Sequence, residues 1–466
     1  MEANHKKEDF RIVCGTYEKL IYGIDAFWGK INSNDDDVEM KNTIDEEIPN
    51  VDPKLAEKQK KIDETSLGLA SNNKALRLNP IFIYPSHISY IKCIGIGGHH
   101  MASGGTDEVI KLYDLKKRKE VGTLLHHSGT ITCLTFFQKT HMLSSGEDGE
   151  ICLWRTKDWE KLSSFKGHKS GVTCVAIHPS GKLALSISTD KTLRCWNLVE
   201  GKAAYTLKIY RKDALKIFWN VTGTLYGIMF DREVIVYDAG NPNQSYTFSH
   251  KGRINDFRFL QHEGKDYLVT GNEDKKVRLY DIKAQKCIGQ WDNGSETRIK
   301  CIDVMDNENV TLLCTCSSDG IINVWDLTGI FDLIEMAAED AEEEKEKEGK
   351  ENSGIMKDLE DVEPISRYKT GCRITCVSFA PPIQYNDEVE EEKEKENNEE
   401  NDDKEEEEKE ESKDEDPSEK PETVNTNKNT NKNTNKNNNK NNNKTNTKRK
   451  KQNNKRKRKN QEGVSF

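Results

Sequence analysis

Histidine and aspartate recur along the chain as four pairs with similar separations, and each pair is followed by an aromatic residue. The sets are His87 with Asp107 and Tyr113, His127 with Asp148 and Trp154, His168 with Asp190 and Trp196, and His250 with Asp274 and Tyr280. A histidine held by a carboxylate can serve as a general base. A catalytic acid is needed only once, however, so the repetition favours a structural role in which Asp fixes the tautomer of a buried His.

Other residues that could do chemistry lack the spacing that the chemistry requires. The glycine-rich stretch GIGGHHMASGG, residues 95–105, has no following Lys-Ser/Thr of a phosphate-binding loop. The adjacent histidines His99/His100 and His126/His127 would point to opposite faces of a strand. None of the twelve cysteines forms a CxxC pair. We therefore predict no catalytic residue, no cofactor and no metal site, and a protein that is not an enzyme.

The elements that must position the His and Asp residues are repeated strands. Six segments share one pattern, which is an apolar strand, a turn with Asp and a second strand that ends in an aromatic residue. The closing aromatics lie 41, 42, 41, 43 and 45 residues apart and are Tyr113, Trp154, Trp196, Tyr237, Tyr280 and Trp325. This period is typical of a WD40 propeller blade, which has roughly 40 to 45 residues.

A seventh, degenerate copy lies at Arg11 to Asp25, where Glu18 replaces the turn Asp. A further strand precedes the repeats, and five of its copies contain a cysteine: Cys93, Cys133, Cys174, Cys301 and Cys376. The last copy, Ile374 to Ala380, has no repeat after it, so we expect it to pair with the N-terminal blade and close the ring. With insertions 27–79 and 329–364 removed, about 42 residues remain per blade. The sequence thus predicts an all-β, seven-bladed WD40 β-propeller over residues 10–381.

The insertions and loops add three smaller expectations. In the second insertion Ile330, Leu333 and Ile334 have spacings typical of a short amphipathic helix on the side of the propeller, with a disordered acidic loop as the alternative. The three blades without the histidine are expected to be less rigid. Cations in loops ahead of inner strands, such as Lys169 and Arg253, are candidates for contact with an acidic partner, and a solvated surface is the alternative.

The chain ends in tracts of opposite charge. An acidic tract at 386–424 holds 22 acidic residues against 6 lysines, and an Asn/Thr/Lys spacer follows at 425–447. We expect disorder from residue 386 onward. Segment 448–459 has nine basic residues among twelve, Lys448, Arg449, Lys450, Lys451, Lys455, Arg456, Lys457, Arg458 and Lys459. We expect it to bind the acidic grooves of import receptors, with a generic RNA-contacting tail or a purely solubilising tail as the alternatives.

The sequence lacks signals for membranes or export. Apolar runs fall short of the roughly 18 residues that span a bilayer, and the start MEANHKKEDF has no apolar core of a secretory signal. We therefore expect an intracellular protein, without membrane insertion, whose cysteines are thiols.

Specific strings go beyond the generic repeat. HHSGTITCL (126–134), SSGEDGEICLW (144–154), IHPSGKLALS (177–186) and TDKTLRCWNLVEGKAA (189–204) resemble the PAK-interacting WD-repeat family, whose fungal members are maintenance-of-killer proteins. The resemblance is strongest from Ser103 to Tyr205 and continues more weakly through Trp325.

That resemblance implies a role and partners. It implies a non-catalytic scaffold, a monomeric propeller, in nucleolar assembly of the large (60S) ribosomal subunit and in pre-rRNA processing. The implied partners are proteins of the pre-60S particle, and the implied location is the nucleus and nucleolus. Animal members are also described as binding the regulatory region of PAK-type protein kinases and restraining them, which keeps kinase regulation as the alternative function.

Overall fold

The chain folds into seven blades. The computed structural model describes residues 9–30, 74–209, 213–241, 243–307, 310–336, 359 and 362–382. Twenty-eight strands lie in these residues and form seven four-stranded antiparallel sheets. The predicted fold class, a seven-bladed β-propeller, is confirmed. The predicted segments 386–424, 425–447 and 448–459 lie outside the described residues.

Blade 1 contains both ends of the described chain. Its strands, from the inside outward, are β28 (Ile374–Ala380), β1 (Phe10–Thr16), β2 (Leu20–Lys30) and β3 (Lys74–Pro85).

The other blades follow the chain from the innermost strand to the outermost. Blade 2 has β4 (Ile91–Gly97), β5 (His100–Gly105), β6 (Ile110–Asp114) and β7 (Lys119–Leu124). Blade 3 has β8 (Ile131–Phe137), β9 (His141–Gly146), β10 (Glu150–Arg155) and β11 (Lys161–Lys166). Blade 4 has β12 (Val172–Ile177), β13 (Leu183–Ser188), β14 (Thr192–Asn197) and β15 (Lys202–Lys208).

Three blades complete the ring. Blade 5 has β16 (Lys216–Trp219), β17 (Leu225–Met229), β18 (Glu233–Asp238) and β19 (Ser245–Ser249). Blade 6 has β20 (Ile254–His262), β21 (Lys265–Asn272), β22 (Lys276–Asp281) and β23 (Lys286–Asp292). Blade 7 has β24 (Ile299–Asn307), β25 (Val310–Ser317), β26 (Ile321–Asp326) and β27 (Ser366–Lys369).

Burial follows the position of each strand within its blade. The second strands are largely buried on both faces, and every residue of β1 and of β25 is buried. The outer strand β15 is exposed along its whole length. Second strands lie between two neighbouring blades, so both of their faces are removed from water, whereas outer strands have solvent beside them.

Apolar clusters fill the spaces between neighbouring blades. Among the described residues, seven clusters of buried side chains occur, one for each interface between adjacent blades. Between blades 6 and 7, for example, Trp291 and Trp325 are each 1% exposed with ring centroids 5.9 Å apart. The apolar core therefore lies at the interfaces between blades. A single blade on its own would leave its apolar faces in contact with water.

The last strand lies beside the first. β28 pairs antiparallel with β1, from Arg11 opposite Ala380 to Thr16 opposite Ile374. Blade 1 thus contains residues from both extremities of the described chain, and separation of the ring at this point would break the β1–β28 ladder.

Because the sheets are antiparallel, their connections alternate between two ends of the propeller. The upper face carries the loops that precede the inner strands and the turns between the second and third strands. The lower face carries the other turns and loops. The polypeptide leaves β2 at Lys30 and β26 at Asp326 on this lower face, so both predicted insertions begin there.

The predicted bounds of the first insertion, 27–79, are too wide. The β2–β3 ladder continues through Phe27 opposite Arg77 to Lys30 opposite Lys74. Leu76 and Leu78 are 0% and 3% exposed and belong to the cluster between blades 7 and 1. Their alternation with polar residues is a strand signal that the polar composition of the insertion concealed.

The predicted amphipathic helix, α1, is present at residues 327–336. Its start is capped by Asp326, whose Oδ1 accepts a hydrogen bond from the N–H of Gly329 at 3.2 Å. Ile330 and Phe331 are each 3% exposed and pack on blades 6 and 7, whereas Leu333 is 47% exposed. Of the predicted insertion 329–364, residues 337–358, 360 and 361 lie outside the described ones. Among the described residues, no helix has the length and apolar character needed to cross a membrane.

Candidate functional site

In blade 4 the predicted histidine, aspartate and tryptophan are joined through a serine. His168 Nδ1 lies 3.1 Å from Asp190 Oδ2, and His168 Nε2 lies 2.7 Å from the hydroxyl of Ser186. The indole N–H of Trp196 donates to the same hydroxyl at 2.8 Å. Asp190 also accepts the backbone N–H of Lys169 at 2.9 Å. The carboxylate in the turn therefore holds the loop that precedes the inner strand.

A neutral imidazole satisfies all of these contacts. If Nδ1–H donates to Asp190, Nε2 can accept the hydroxyl proton of Ser186, and the Trp196 N–H donates to the serine oxygen, so each group has a partner. Burial lowers the pKa of His168, although Asp190 opposes the shift. Burial alone would raise the pKa of Asp190, but hydrogen bonds from Thr192, Lys169 and His168 bring it to about 2.

Blade 3 repeats this geometry. His127 Nδ1 is 2.8 Å from Asp148 Oδ2, and its Nε2 is 2.8 Å from the hydroxyl of Ser144. The Trp154 indole N–H donates to Ser144 at 2.8 Å. The histidine side chain is fully buried.

In blade 2 a tyrosine replaces the tryptophan. His87 Nδ1 is 3.0 Å from Asp107, and its Nε2 is 2.7 Å from Ser103 Oγ. The Tyr113 hydroxyl is hydrogen-bonded to Ser86, which lies in the same loop as His87. Burial lowers the pKa of His87 and raises that of Tyr113 to about 12.

Blade 6 departs from the pattern. His250 Nε2 lies 3.4 Å from Asp274 Oδ2, and its Nδ1 accepts the backbone N–H of Gly252 at 3.0 Å. Asp274 forms a closer ion pair with Arg278 on β22. The structure thus brings the predicted His250 and Asp274 together only loosely, because Arg278 competes for the carboxylate. Tyr280 is buried beside them, and burial raises its pKa to about 12.

The serine hydroxyls at the centre of these networks were not predicted. Each lies on the second strand, four residues before the turn aspartate, as Ser103, Ser144 and Ser186 do. Blade 7 has Thr315 in this place, and its hydroxyl accepts the Trp325 N–H at 2.9 Å. This fixed offset is the sequence signal that could have identified them.

In blade 7 an asparagine takes the place of the histidine. Thr315 Oγ1 donates to Asn293 Oδ1 at 2.5 Å, and Asn293 Nδ2 donates to Ser295 at 3.0 Å. Asp319 in the turn accepts the backbone N–H of Glu296 at 3.0 Å. The amide of Asn293 both accepts and donates a hydrogen bond. The upper loop of blade 7 is therefore held by hydrogen bonds although this blade lacks the histidine.

Comparison with known proteins agrees with this architecture. The family model described as "WD domain, G-beta repeat" matches residues 118–155, 159–197, 242–281 and 285–326. Each match begins near or within an outer strand and continues through three strands of the next blade. The chain is 32% identical over 250 residues to the p21-activated protein kinase-interacting protein 1-like protein of Danio rerio, which covers 54% of this chain and 67% of that protein.

The chain belongs to the PAK-interacting WD-repeat family. It is also 43% identical over 246 residues to p21-activated protein kinase-interacting protein 1 of Homo sapiens, which covers 53% of this chain and 62% of the human protein. Protein MAK11 of Saccharomyces cerevisiae is 26% identical over 368 residues, which covers 70% of this chain and 80% of the yeast protein. The alignments to the animal proteins thus span about two thirds of their length.

In this member of the PAK-interacting WD-repeat family, a charged pair joins the inner strands of blades 5 and 6. Lys216 on β16 and Asp256 on β20 form an ion pair with Nζ and Oδ1 2.8 Å apart. Aligned with the cysteine-containing strands, IND at 254–256 places Asp256 where ITC, ending at Cys133, and IKC, ending at Cys301, have cysteine. Burial would raise the pKa of Asp256, but the charges of Arg258 and Lys216 hold it below its usual value.

One group of side chains in this family member has the composition of a metal site. His126, Glu150 and Cys152 place ligand atoms within 4.8 Å of one another. Lys161 Nζ lies 3.1 Å from His126 Nε2, and burial raises the pKa of Cys152 to about 12. An ammonium beside the imidazole and a protonated thiol both oppose cation binding, so the donor set does not fit a metal.

The histidines of the WD-repeat blades have a structural role. In blades 2, 3 and 4 both nitrogens of the predicted histidine are engaged within the protein, so these rings are not positioned to take a proton from a substrate. They hold upper loops in place for protein contact. The predicted targeting residues, Lys448 to Lys451 and Lys455 to Lys459, lie outside the described residues.

Proposed function

We propose that this protein is a non-catalytic scaffold in nucleolar assembly of the large (60S) ribosomal subunit and in pre-rRNA processing, and that it binds pre-ribosomal proteins through the faces of its propeller. The observation that carries the proposal is the alignment with Protein MAK11, which extends over 70% of this chain and therefore over most of the propeller. The family resemblance of the strings at 126–134 and 177–186 implies the same role.

The geometry supports a scaffold more than an enzyme. The repeated carboxylates and imidazoles are used within the protein to tie loops and turns together. Upper loops held in this way present side chains from several blades without much conformational freedom to lose on binding. A partner would then be recognised by a surface rather than by a pocket for a small substrate.

The basic segment supports location in the nucleus and contact with rRNA. Nine Lys/Arg among twelve residues at 448–459 match the charge that import receptors and phosphate backbones recognise. Replacement of these nine residues by Gln is expected to abolish nuclear accumulation of a fluorescent fusion. The matched control replaces five lysines of the spacer, Lys428, Lys432, Lys436, Lys440 and Lys444, and is expected to leave the location unchanged.

Sedimentation tests the assembly role directly. The tagged protein should co-sediment with large-subunit precursors in a sucrose gradient, and depletion should lower the ratio of large to small subunits. Normal subunit ratios after depletion, together with sedimentation of the protein only at the top of the gradient, would remove this proposal.

A second candidate function is restraint of PAK-type protein kinases. It is favoured by the names of the fish and human relatives, which are called p21-activated protein kinase-interacting proteins. This function requires a direct complex, so the purified full chain should bind and inhibit a kinase with its regulatory segment. Inhibition of the kinase only when that segment is present would support it, whereas absence of both binding and inhibition would exclude it.

A further inference from the structure

A cavity opens at the upper end of the channel that the inner strands surround. Its volume is about 530 Å³, and residues from six blades line it. Five of the lining side chains are cationic and one is anionic, namely Lys92, Lys216, Arg253, Arg298, Lys300 and Glu147. This mouth of the channel, called the cationic mouth below, therefore concentrates positive charge in a recess.

Three of the five cations already have carboxylate partners. Lys216 contacts Asp256 at 2.8 Å, Arg253 contacts Asp231 at 3.2 Å and Arg298 contacts Glu273 at 3.0 Å. Lys92 and Lys300 have no carboxylate within 4.0 Å among the described residues. The cationic mouth thus retains two lysines whose charges are not offset by an ion pair in the described part of the chain.

Lys300 is the less solvated of the two. It is half-buried, whereas Lys92 is exposed. Burial lowers the pKa of Lys300, and the charges of Lys216 and Arg298 act in the same direction, whereas Cys301 and Asp256 oppose the shift. An anion placed here would replace lost hydration and relieve repulsion among these three cations.

The remaining lining suits an anion that is carried on a short apolar stem. Ser170 supplies a hydroxyl donor, and Leu215 and Met229 supply apolar contact. The hydroxyls of Thr132 and Thr173 already donate to the backbone carbonyls of Ser145 and Ile187. A carboxylate accepts hydrogen bonds from ammonium and hydroxyl groups, while its methylene groups pack on aliphatic side chains.

Apolar side chains also lie on the upper face beside Lys92. Ile88, in the loop that precedes β4, is 85% exposed, and Tyr17 is 52% exposed and stacks on Tyr90 with ring centroids 5.2 Å apart. These residues provide apolar surface for a partner residue that flanks the acidic one. Exposed aromatic and aliphatic side chains of this kind are typical of protein-binding surfaces.

We propose that the cationic mouth binds an Asp or Glu side chain on an extended acidic segment of a protein partner. Lys300 and Lys92 would receive the carboxylate, and Ile88 and Tyr17 would contact a neighbouring apolar residue of the segment. This inference concerns the chemistry of the ligand at one face of the propeller, so it goes beyond the proposed function. It applies whether the partner is a pre-ribosomal protein or a protein kinase.

The distribution of carboxylates favours a protein segment over a nucleic acid. Glu147 lines the mouth, and Asp231 and Glu273 lie next to its arginines. A phosphate backbone that crossed this face would place successive negative charges near these carboxylates. A single carboxylate side chain needs only the centre of the mouth and avoids this repulsion.

Fluorescence anisotropy with the full chain tests the proposal. The probe is a short fluorescein-labelled peptide of Glu, Asp and Leu, and its counterpart has Gln and Asn in place of the acidic residues. The acidic peptide is expected to bind and its neutral counterpart is not. Lys300→Gln should weaken binding about tenfold or more, since it removes a charge-assisted hydrogen bond, and Lys92→Gln should weaken it less because Lys92 is more solvated.

Lys265→Gln is the matched control. Lys265 is exposed in the β20–β21 hairpin on the lower face, so loss of its charge should leave peptide binding unchanged. Equal weakening by Lys300→Gln and Lys265→Gln would show nonspecific attraction and overturn the proposal, as would absence of peptide binding. Lys300-dependent binding of single-stranded RNA without binding of the peptide would also overturn it. Thermal unfolding followed by circular dichroism verifies that each variant is folded.

Discussion

Asp303 on β24 accepts a hydrogen bond from the backbone N–H of Phe379 on β28 at 2.8 Å, which attaches the last strand of the ring to blade 7. The other oxygen of Asp303 accepts from Arg258 Nε at 3.0 Å. Arg258 also contacts Asp256, which is paired with Lys216. One ionic network therefore connects the inner strands of blades 5, 6, 7 and 1.

Replacement of Asp303 by Ala should destabilise the propeller. The change leaves the Phe379 N–H without its acceptor and removes one of the two carboxylates beside Arg258, which is 20% exposed. Loss of one partner from a largely buried pair costs about 3 kcal/mol of unfolding free energy. Urea denaturation followed by tryptophan fluorescence measures the change. Asp306→Ala, at an exposed position of the same strand, is the control, and a similar loss in both variants would contradict this role for Asp303.

The serine that joins histidine to tryptophan in blade 4 can be tested separately. Ser186→Ala removes the partner of both His168 Nε2 and the Trp196 indole N–H. Two buried polar atoms would lose a hydrogen bond, and we expect a loss of about 2 to 3 kcal/mol in unfolding free energy. Ser163→Ala, on the outer strand of blade 3, should change stability by less than about 0.5 kcal/mol. A Ser186 variant as stable as the Ser163 variant would show that the hydrogen bonds of Ser186 to His168 and Trp196 do not stabilise the fold.

The buried histidines predict how stability depends on pH. Burial lowers the folded-state pKa of His87 and His168 below the roughly 6.5 of an unfolded histidine. The unfolded chain then binds more protons in mildly acidic solution, so their contribution is complete above about pH 6.5 and decreases as pH falls toward the folded pKa values. Denaturation between pH 7.5 and 5 should show this decrease.

His168→Asn should lower stability at pH 7.5 but reduce its dependence on pH, because one titrating group is gone. His141→Gln, at a partly exposed position in the β8–β9 hairpin, should leave the pH dependence unchanged. If the unfolding free energy of the His168 variant depended on pH as strongly as that of the unaltered protein, other groups would cause the decrease.

The periodicity of the sequence was sufficient to predict the blades because every blade must bury the same kinds of strand in the same order. A strand buried on both faces, a tight turn and an aromatic residue recur at nearly constant spacing, and the His127–Asp148 and His168–Asp190 contacts follow from that recurrence. The hydroxyls were missed because serine is common in turns and strands alike, so one copy carries no signal. Only alignment of several blades reveals the fixed offset from aspartate.

Features that one blade alone possesses could not be predicted in this way. The replacement of His by Asn293 in blade 7 and the Arg278 that competes for Asp274 in blade 6 each depend on neighbours brought together by folding. The Lys216–Asp256 pair shows the same limitation. Each residue alone is an unfavourable buried charge, and the pair becomes understandable only when two adjacent blades place the charges together.

The docking of α1 gives the last prediction. The ring of Phe331 is parallel to that of His262 at 4.2 Å between centroids, and it lies 4.8 Å from the ring of Tyr267. Phe331→Ala should therefore lower the unfolding free energy by about 3 kcal/mol through lost apolar burial and a residual cavity. Leu333→Ala, on the exposed side of the same helix, should cost less than about 1 kcal/mol. If the two variants were equally stable, the helix would contribute little to the packing of blades 6 and 7.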